Sequence, residues 1–208
     1  MSSREANRQL VAALDRAVQI QSGVIEGYVR RLRRKHPEAS PAELQNLIDK
    51  HFMRAVSGTG AGVGMAAAVP GIGFFTGALA IGAESAVFLD AVALYTAASA
   101  HLRGVDIGDP ERRRALILVV LLGAAGTALV DPGARRRGVP AVASISRFST
   151  KRLVEVNGRL LRMALRRFRF TWLGKIMPLG IGAVLGLMAN RRLARRALRN
   201  TYESLGPL

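Results

Sequence analysis

The chain has 208 residues and no cysteine. Disulfides, thiolate metal sites and cysteine nucleophiles are therefore excluded, and the redox compartment is left open. Aromatic residues are also scarce, at 5% of a chain that is 50% hydrophobic. The apolar content is mostly Ala, Leu and Val, which suits close-packed helices better than sheets. No long alternating strand pattern occurs. A G-x-x-x-x-G-K-[ST] loop is missing, since Gly174-Lys175 runs on into Ile176, so no nucleotide site is inferred. G-x-S-x-G is missing too. His36, His51 and His101 fit no metal-ligand spacing, and His36 and His51, beside charged residues, are expected to face solvent. No catalytic residue, metal or cofactor is expected, and the chain is read as a non-enzyme. Its first residues, MSSREANRQLVAALDRAVQ, are too polar and too acidic for a secretory signal, which predicts a cytoplasmic start.

Acidic residues are rarest toward the C-terminus. The net charge is +17, but residues 1–54 contribute only +4 and residues 55–146 only +1. Residues 147–199 hold fourteen Lys/Arg against Glu155 alone. Such a cluster needs an anionic partner or full solvation.

What is present reads as a series of helices. Leu10, Leu14, Val18, Ile25, Tyr28 and Leu32 recur at helical spacings, which predicts one amphipathic helix over residues 7–35. Pro37 ends it. Ser40, Pro41 and Glu43 then form a capping box that starts a second helix through about Val56. A long helix is expected over 74–103, with Gly104 as its stop. Asp109 and Pro110 start the next one, which contains ALILVVLLGAAGTALV, residues 115–130. Sixteen residues make about 24 Å of helix, short of the roughly 30 Å hydrocarbon core. That segment is a marginal span and an ordinary buried helix.

Between these elements lies SGTGAGVGMAAAVPGIGFFTGALAIGA, residues 57–83, with no charge and eight glycines. Gly58 and Gly62, like Gly73 and Gly77, are four apart, a glycine-zipper spacing that lets another helix approach closely. Pro70-Gly71 divides the stretch into two short helices or a hairpin. Its length suffices for a transmembrane helix, though basic flanks on both sides of most apolar segments conflict with simple spanning. Shallow hairpins returning to one side resolve that conflict. A flexible loop is the plainer alternative. Gly182 and Gly186 repeat the four-residue spacing in a second apolar stretch, residues 173–190. Phe168, Phe170, Trp172 and Lys175 resemble an interface girdle at its edge. Glu84 and Asp90 are carboxylates inside an apolar segment and must pair, face water or stay protonated. Arg103 or the basic C-terminal helices are the expected partners.

The second stretch, KIMPLGIGAVLGLMANRRLARRALR, resembles the C-terminal signature of the EcsC protein family. The matching positions are Lys175, Ile176, Pro178, Gly182, Ala183, Gly186, Asn190, Arg195 and Arg196. The apolar PGIG stretch, the long helix and GVDIGDPE add to the likeness, which covers about residues 40–200. A similar segment accompanies some membrane-associated GTPases of the Era type, from which this chain departs by lacking a phosphate-binding loop. The resemblance implies a mostly helical, membrane-associated bacterial protein with no assigned reaction.

These observations predict an all-α bundle in three parts: an N-terminal amphipathic helix (1–37), an EcsC-like helical domain (38–200) and a C-terminal tail (201–208). The expected work is binding anionic bilayers at the cytoplasmic face of the bacterial inner membrane, with a membrane-protein partner in a transport or secretion assembly as a further expectation. Arg162, Arg166, Arg167, Arg195 and Arg196 are the expected contacts to lipid phosphates. A nucleic-acid surface is disfavoured, because no recognition helix or aromatic platform accompanies the basic residues. The alternative from another class is a soluble helical bundle that binds a lipid or a partner helix.

Overall fold

The computed structural model describes residues 3–20, 22–56, 83–173 and 181–208. For residues 3–7, 9, 10, 13, 83–87, 135, 168–173 and 181–190 it describes the helical backbone alone. Among the described residues every regular element is a helix. The helices are α1 (Ser3–Val18), α2 (Ser22–Lys35), α3 (Pro41–Val56), α4 (Ala83–Leu102) and α5 (Pro110–Leu122). They are followed by α6 (Ala124–Val130), α7 (Ala134–Arg137), α8 (Ala141–Ile145), α9 (Thr150–Leu173) and α10 (Ile181–Leu205). The expected all-α architecture is what forms.

Two helices make the centre. α4 is mostly apolar, and residues 91–100 are buried without exception, Thr96 and Ser99 among them. In α5 the same holds for residues 115–120. A helix that is apolar all round must be enclosed by others. Accordingly α1, α2, α3 and α10 pack on α4, while α9, α10, α6 and α8 pack on α5. Each fully buried Leu, Ile or Val contributes about 1.5–3 kcal/mol relative to exposure, which favours enclosing both helices. The marginal span is thus core. No helix among the described residues is long and apolar enough to cross a membrane.

Local signals hold where capping chemistry is explicit. Ser40 N–H donates to Glu43 Oε2 at 2.8 Å, and Glu43 N–H donates to Ser40 Oγ at 3.3 Å. The box starts α3, which is described as far as Val56. Asp109 accepts from Glu111 N–H at 2.8 Å at the start of α5, and α4 stops before Gly104.

Three expectations need correction. The helix read over 7–35 is two, because the ladder stops after Val18. The guanidinium of Arg113, itself buried, reaches into this break and donates to Val18 O through Nε (3.3 Å) and Nη2 (3.2 Å). It also donates to the carbonyls of Ile107 and Gly108. A cation at a helix C-terminus satisfies orphan carbonyls and complements the macrodipole. The helix through 115–130 also breaks, at Gly123, whose φ of 60° and ψ of −135° suit only glycine. Asn200 Nδ2 donates to the freed Val120 O at 2.7 Å, and Arg167 Nη1 to Leu122 O at 3.1 Å. Finally, residues 201–208 are no tail. α10 continues to Leu205, and Thr201, Ser204 and Leu205 are buried.

Candidate functional site

The basic residues of the last quarter are sorted by the helices that carry them. On α9, Leu153, Val156, Asn157, Leu160 and Ala164 are buried, an i, i+3, i+4, i+7 pattern that fixes the inward face. Lys151, Arg152, Arg159, Arg162 and Arg166 share the opposite, exposed face. Glu155 stands among them and pairs with Arg152 at 3.2 Å. An exposed pair of this kind contributes about 0.3–0.5 kcal/mol and leaves the stripe basic. Arg162 Nε donates to Gly158 O of its own helix at 3.2 Å.

On α10, Ala194, Ala197, Thr201 and Leu205 are buried, so small side chains bring this helix close to the bundle. The other side holds Arg191, Arg192, Arg195, Arg196 and Arg199, which together line an open groove of about 620 Å³. Among the described residues no carboxylate pairs with Arg192, Arg195, Arg196 or Arg199. Like charges four apart on a helix destabilise it by about 0.2–0.5 kcal/mol per pair. This helix has three such pairs, Arg191–Arg195, Arg192–Arg196 and Arg195–Arg199, and an anion in the groove would relieve all of them.

Of the expected phosphate contacts, Arg162 and Arg166 lie on the α9 face, and Arg195 and Arg196 on the α10 groove. Arg167 differs. Its guanidinium caps α5 at Leu122, so part of its hydrogen-bonding capacity is structural. Gly182 and Gly186 lie on the backbone of α10 and Trp172 on that of α9, with surroundings outside what is described. Gly58, Gly62, Gly73, Gly77 and Lys175 lie outside the described residues.

The two internal carboxylates separate. Glu84 lies on the backbone of α4, and its side chain is outside what is described. Asp90 is buried, 8% exposed, and accepts from Arg16 Nη2 of α1 at 3.2 Å. Neither Arg103 nor a C-terminal helix supplies that partner, which corrects the expectation. Burial raises the Asp90 pKa, and Arg16 opposes the shift.

Arg103 is committed elsewhere, to a polar cluster joining α3, α4 and α10. Its Nη1 donates to Gln45 Oε1 at 2.7 Å and its Nε to Gly206 O at 2.9 Å. Gln45 Nε2 donates to Ser99 Oγ (2.9 Å) and to Asp49 Oδ1 (2.8 Å). Asp49 also accepts from Tyr95 Oη at 2.9 Å and from Tyr202 Oη at 2.7 Å. Burial first, then the Asp49 charge, pushes Tyr95 well above the usual phenol range. Burial and the Asp49 bond push Tyr202 up to about 12. Protonated phenols and a multiply bonded carboxylate make a clamp; neither tyrosine is poised to exchange its proton at neutral pH. Sequence reasoning missed this cluster. The signal was Tyr95, Ser99 and Arg103 at four-residue steps, a polar stripe along an otherwise apolar helix.

His51 is likewise less free than expected. It is half-buried and shares a 2.8 Å hydrogen bond between Nδ1 and Tyr28 Oη. Burial, then the Arg54, His36 and Lys35 charges, lower its pKa and favour neutral imidazole. His36 is exposed, as expected. Among the described residues no three His, Asp or Glu side chains come together as a metal site.

No family model, curated protein or solved structure matches this chain, so the likeness to the EcsC family rests on the residues quoted for it.

Proposed function

We propose that this is a non-enzymatic helical protein that binds anionic bilayers through arginine faces on α9 and α10. The observation that carries this reading is the α10 groove, in which five arginines share one side of a helix with no carboxylate paired to four of them. Basic residues near an anionic leaflet contribute about 1 kcal/mol each, so the five of the groove supply about 5 kcal/mol, a sub-millimolar attraction before any apolar contact. Guanidinium groups also match phosphate geometry with paired donors. The EcsC resemblance and the uncharged stretches beside the basic runs support the same reading. A place at the cytoplasmic membrane face, beside a transport or secretion assembly, belongs to this proposal.

The test is sedimentation with vesicles of phosphatidylcholine, with and without phosphatidylglycerol. Arg162→Gln, Arg166→Gln, Arg195→Gln and Arg196→Gln are combined, and Arg167 is kept because it caps α5. The combined variant is expected to lose about 100-fold or more in partitioning. Binding of the unchanged chain should weaken as salt shortens the Debye length. Equal binding to neutral vesicles, or no loss in the variant, would defeat the proposal.

A second reading draws on the burial of residues 91–100 and 115–120. The bundle holds its own core, as a soluble protein that receives a lipid or a partner helix would. Recovery of the full chain in the supernatant without detergent, with no vesicle binding, selects it.

A further inference from the structure

Hydrogen bonds fix the directions of three helices. Gln45 meets Ser99 and Arg103, while Asp49 meets Tyr95, so α3 runs antiparallel to α4. Phe52 stacks on Tyr95 with ring centroids 4.4 Å apart, in the same register. Gly206 meets Arg103, and Tyr202, four residues earlier, meets Asp49 beside Tyr95. α10 therefore runs parallel to α4. The C-terminus of α3 and the N-termini of α4 and α10 consequently lie at one pole of the bundle. At 1.5 Å per residue, Arg191 stands about 22 Å from Gly206 along α10, level with Phe88 of α4.

The course of α10 then acquires a meaning. Its last turns are packed in the bundle, its middle carries the five arginines, and its first ten residues, IGAVLGLMAN, have no charge. Ten residues are about 15 Å of helix, half of a hydrocarbon core of about 30 Å. Arg54 is exposed in the last turn of α3 and adds charge at the same pole. The opposite pole also has a basic run, Arg30, Arg33, Arg34 and Lys35 at the end of α2. There, however, Glu38, Glu43 and Asp106 are interspersed and exposed. The α10 side has no acid interspersed between Arg191 and Arg199, and Glu84 in the first turn of α4 is an acid that the helix directions bring to this pole.

We infer that the bundle docks end-on against an anionic bilayer, the pole where α3 ends and α4 and α10 begin facing the lipid. Arg191, Arg192, Arg195, Arg196 and Arg199 lie at the phosphates, and the first ten residues of α10 enter the acyl layer of one leaflet. The inference rests on the bilayer reading above and adds orientation and depth to it. The α3–α4 side of the opposite pole, with the chain's C-terminal residue, faces away from the membrane.

The absence of native cysteine makes the test direct. Single variants Ala55→Cys and Ala189→Cys label the docking pole, and Ala42→Cys and Leu208→Cys the other. Each carries an environment-sensitive fluorophore on the full chain, added to phosphatidylglycerol vesicles that contain spin-labelled lipid. Positions 42 and 55 are about 20 Å apart along α3, beyond the reach of contact quenching, so quenching at 55 and 189 should exceed that at 42 and 208 by about three-fold or more. Four α10 charges (Arg192, Arg195, Arg196, Arg199) and four α2 charges (Arg30, Arg33, Arg34, Lys35) are separately changed to Gln. The α10 set should weaken partitioning by about 100-fold to 1,000-fold and the α2 set by less than about three-fold. Equal quenching at both poles, stronger quenching at 42, or a larger loss in the α2 set overturns the orientation while leaving bilayer binding intact. No sedimentation of the unchanged chain with these vesicles overturns both.

Discussion

Tyr202 Oη donates a 2.7 Å hydrogen bond to Asp49 Oδ2, joining α10 to α3 across 153 positions of sequence. Tyr95 donates to the other oxygen of the same carboxylate, so a single acid ties α3 to two helices. The helix that carries the arginine groove is held in register by this acid and by Arg103.

Removing Tyr95 should loosen α3 from α4, and removing Tyr202 should loosen α10 from α3. Tyr95→Phe, buried, is expected to cost about 1.5–3 kcal/mol, the usual value of a hydrogen bond to a charged group. Tyr202→Phe, partly exposed, should cost less. Urea unfolding of the two variants measures both, and a larger loss for Tyr202→Phe would contradict the burial argument. The pH dependence has a definite sign. Tyr202 has a folded pKa of about 12, above its ordinary value of 10. Its contribution is therefore complete below pH 10 and lost as pH rises through 12. Tyr202→Phe should flatten the stability curve in that window.

Asp90 and Arg16 should respond unequally to substitution. Asp90 is buried and Arg16 is largely exposed. Arg16→Gln leaves a buried carboxylate without its cation, at an expected cost of about 1–3 kcal/mol. Asp90→Asn leaves an exposed guanidinium that water can solvate, at a cost within about 1 kcal/mol. Burial raises the Asp90 pKa, so its protonated form favours the fold below the ordinary carboxylate pKa, and that contribution disappears as pH rises through the folded value. Asp90→Asn should remove this local dependence. Thermal melts between pH 3 and pH 7 check both statements.

Gly123→Ala should be among the costliest single substitutions. The left-handed φ strains any L side chain, and an added Cβ would lie 2.8 Å from the Asn200 amide. Strain alone costs about 1–3 kcal/mol, and displacing Asn200 also exposes the Val120 carbonyl to loss of its donor. Combining Gly123→Ala with Asn200→Ala should recover part of the loss, since the clash is relieved. A strictly additive double variant would contradict the contact.

Arg113→Met should destabilise by about 3–5 kcal/mol, because three backbone carbonyls lose their donor together. Arg113→Lys should rescue little, since one ammonium does not reproduce the fork that spans Val18, Ile107 and Gly108. Arg112 and Arg114 pair with Asp106 and Asp15 nearer the surface, and their glutamine variants should stay within about 1 kcal/mol. Denaturation midpoints across the three positions test the ranking.

Composition and local chemistry determined much of this protein. Few aromatics, abundant Ala and Leu and no strand pattern specify helices. Ser40–Glu43 and Asp109–Pro110 set two helix starts through contacts within four residues, which any reader of the sequence can find. The excess of arginine on α9 and α10 is legible in the same way, because i, i+4 spacing alone gathers Arg191, Arg195 and Arg199. What only the tertiary structure decided depends on partners far apart in the chain. In ERRR, three adjacent arginines look alike, yet Arg113 is the most deeply buried of them, because the end of α1 presents Val18 O there. Arg167 reads as one more lipid contact until Leu122 O is found beside it, and the helix through 115–130 reads as continuous until Asn200 reaches Val120. Asp90 finds Arg16 across 74 positions instead of the nearer Arg103. Helix periodicity encodes which face turns inward, but not which distant donor will meet a freed carbonyl or a buried charge. That choice belongs to packing.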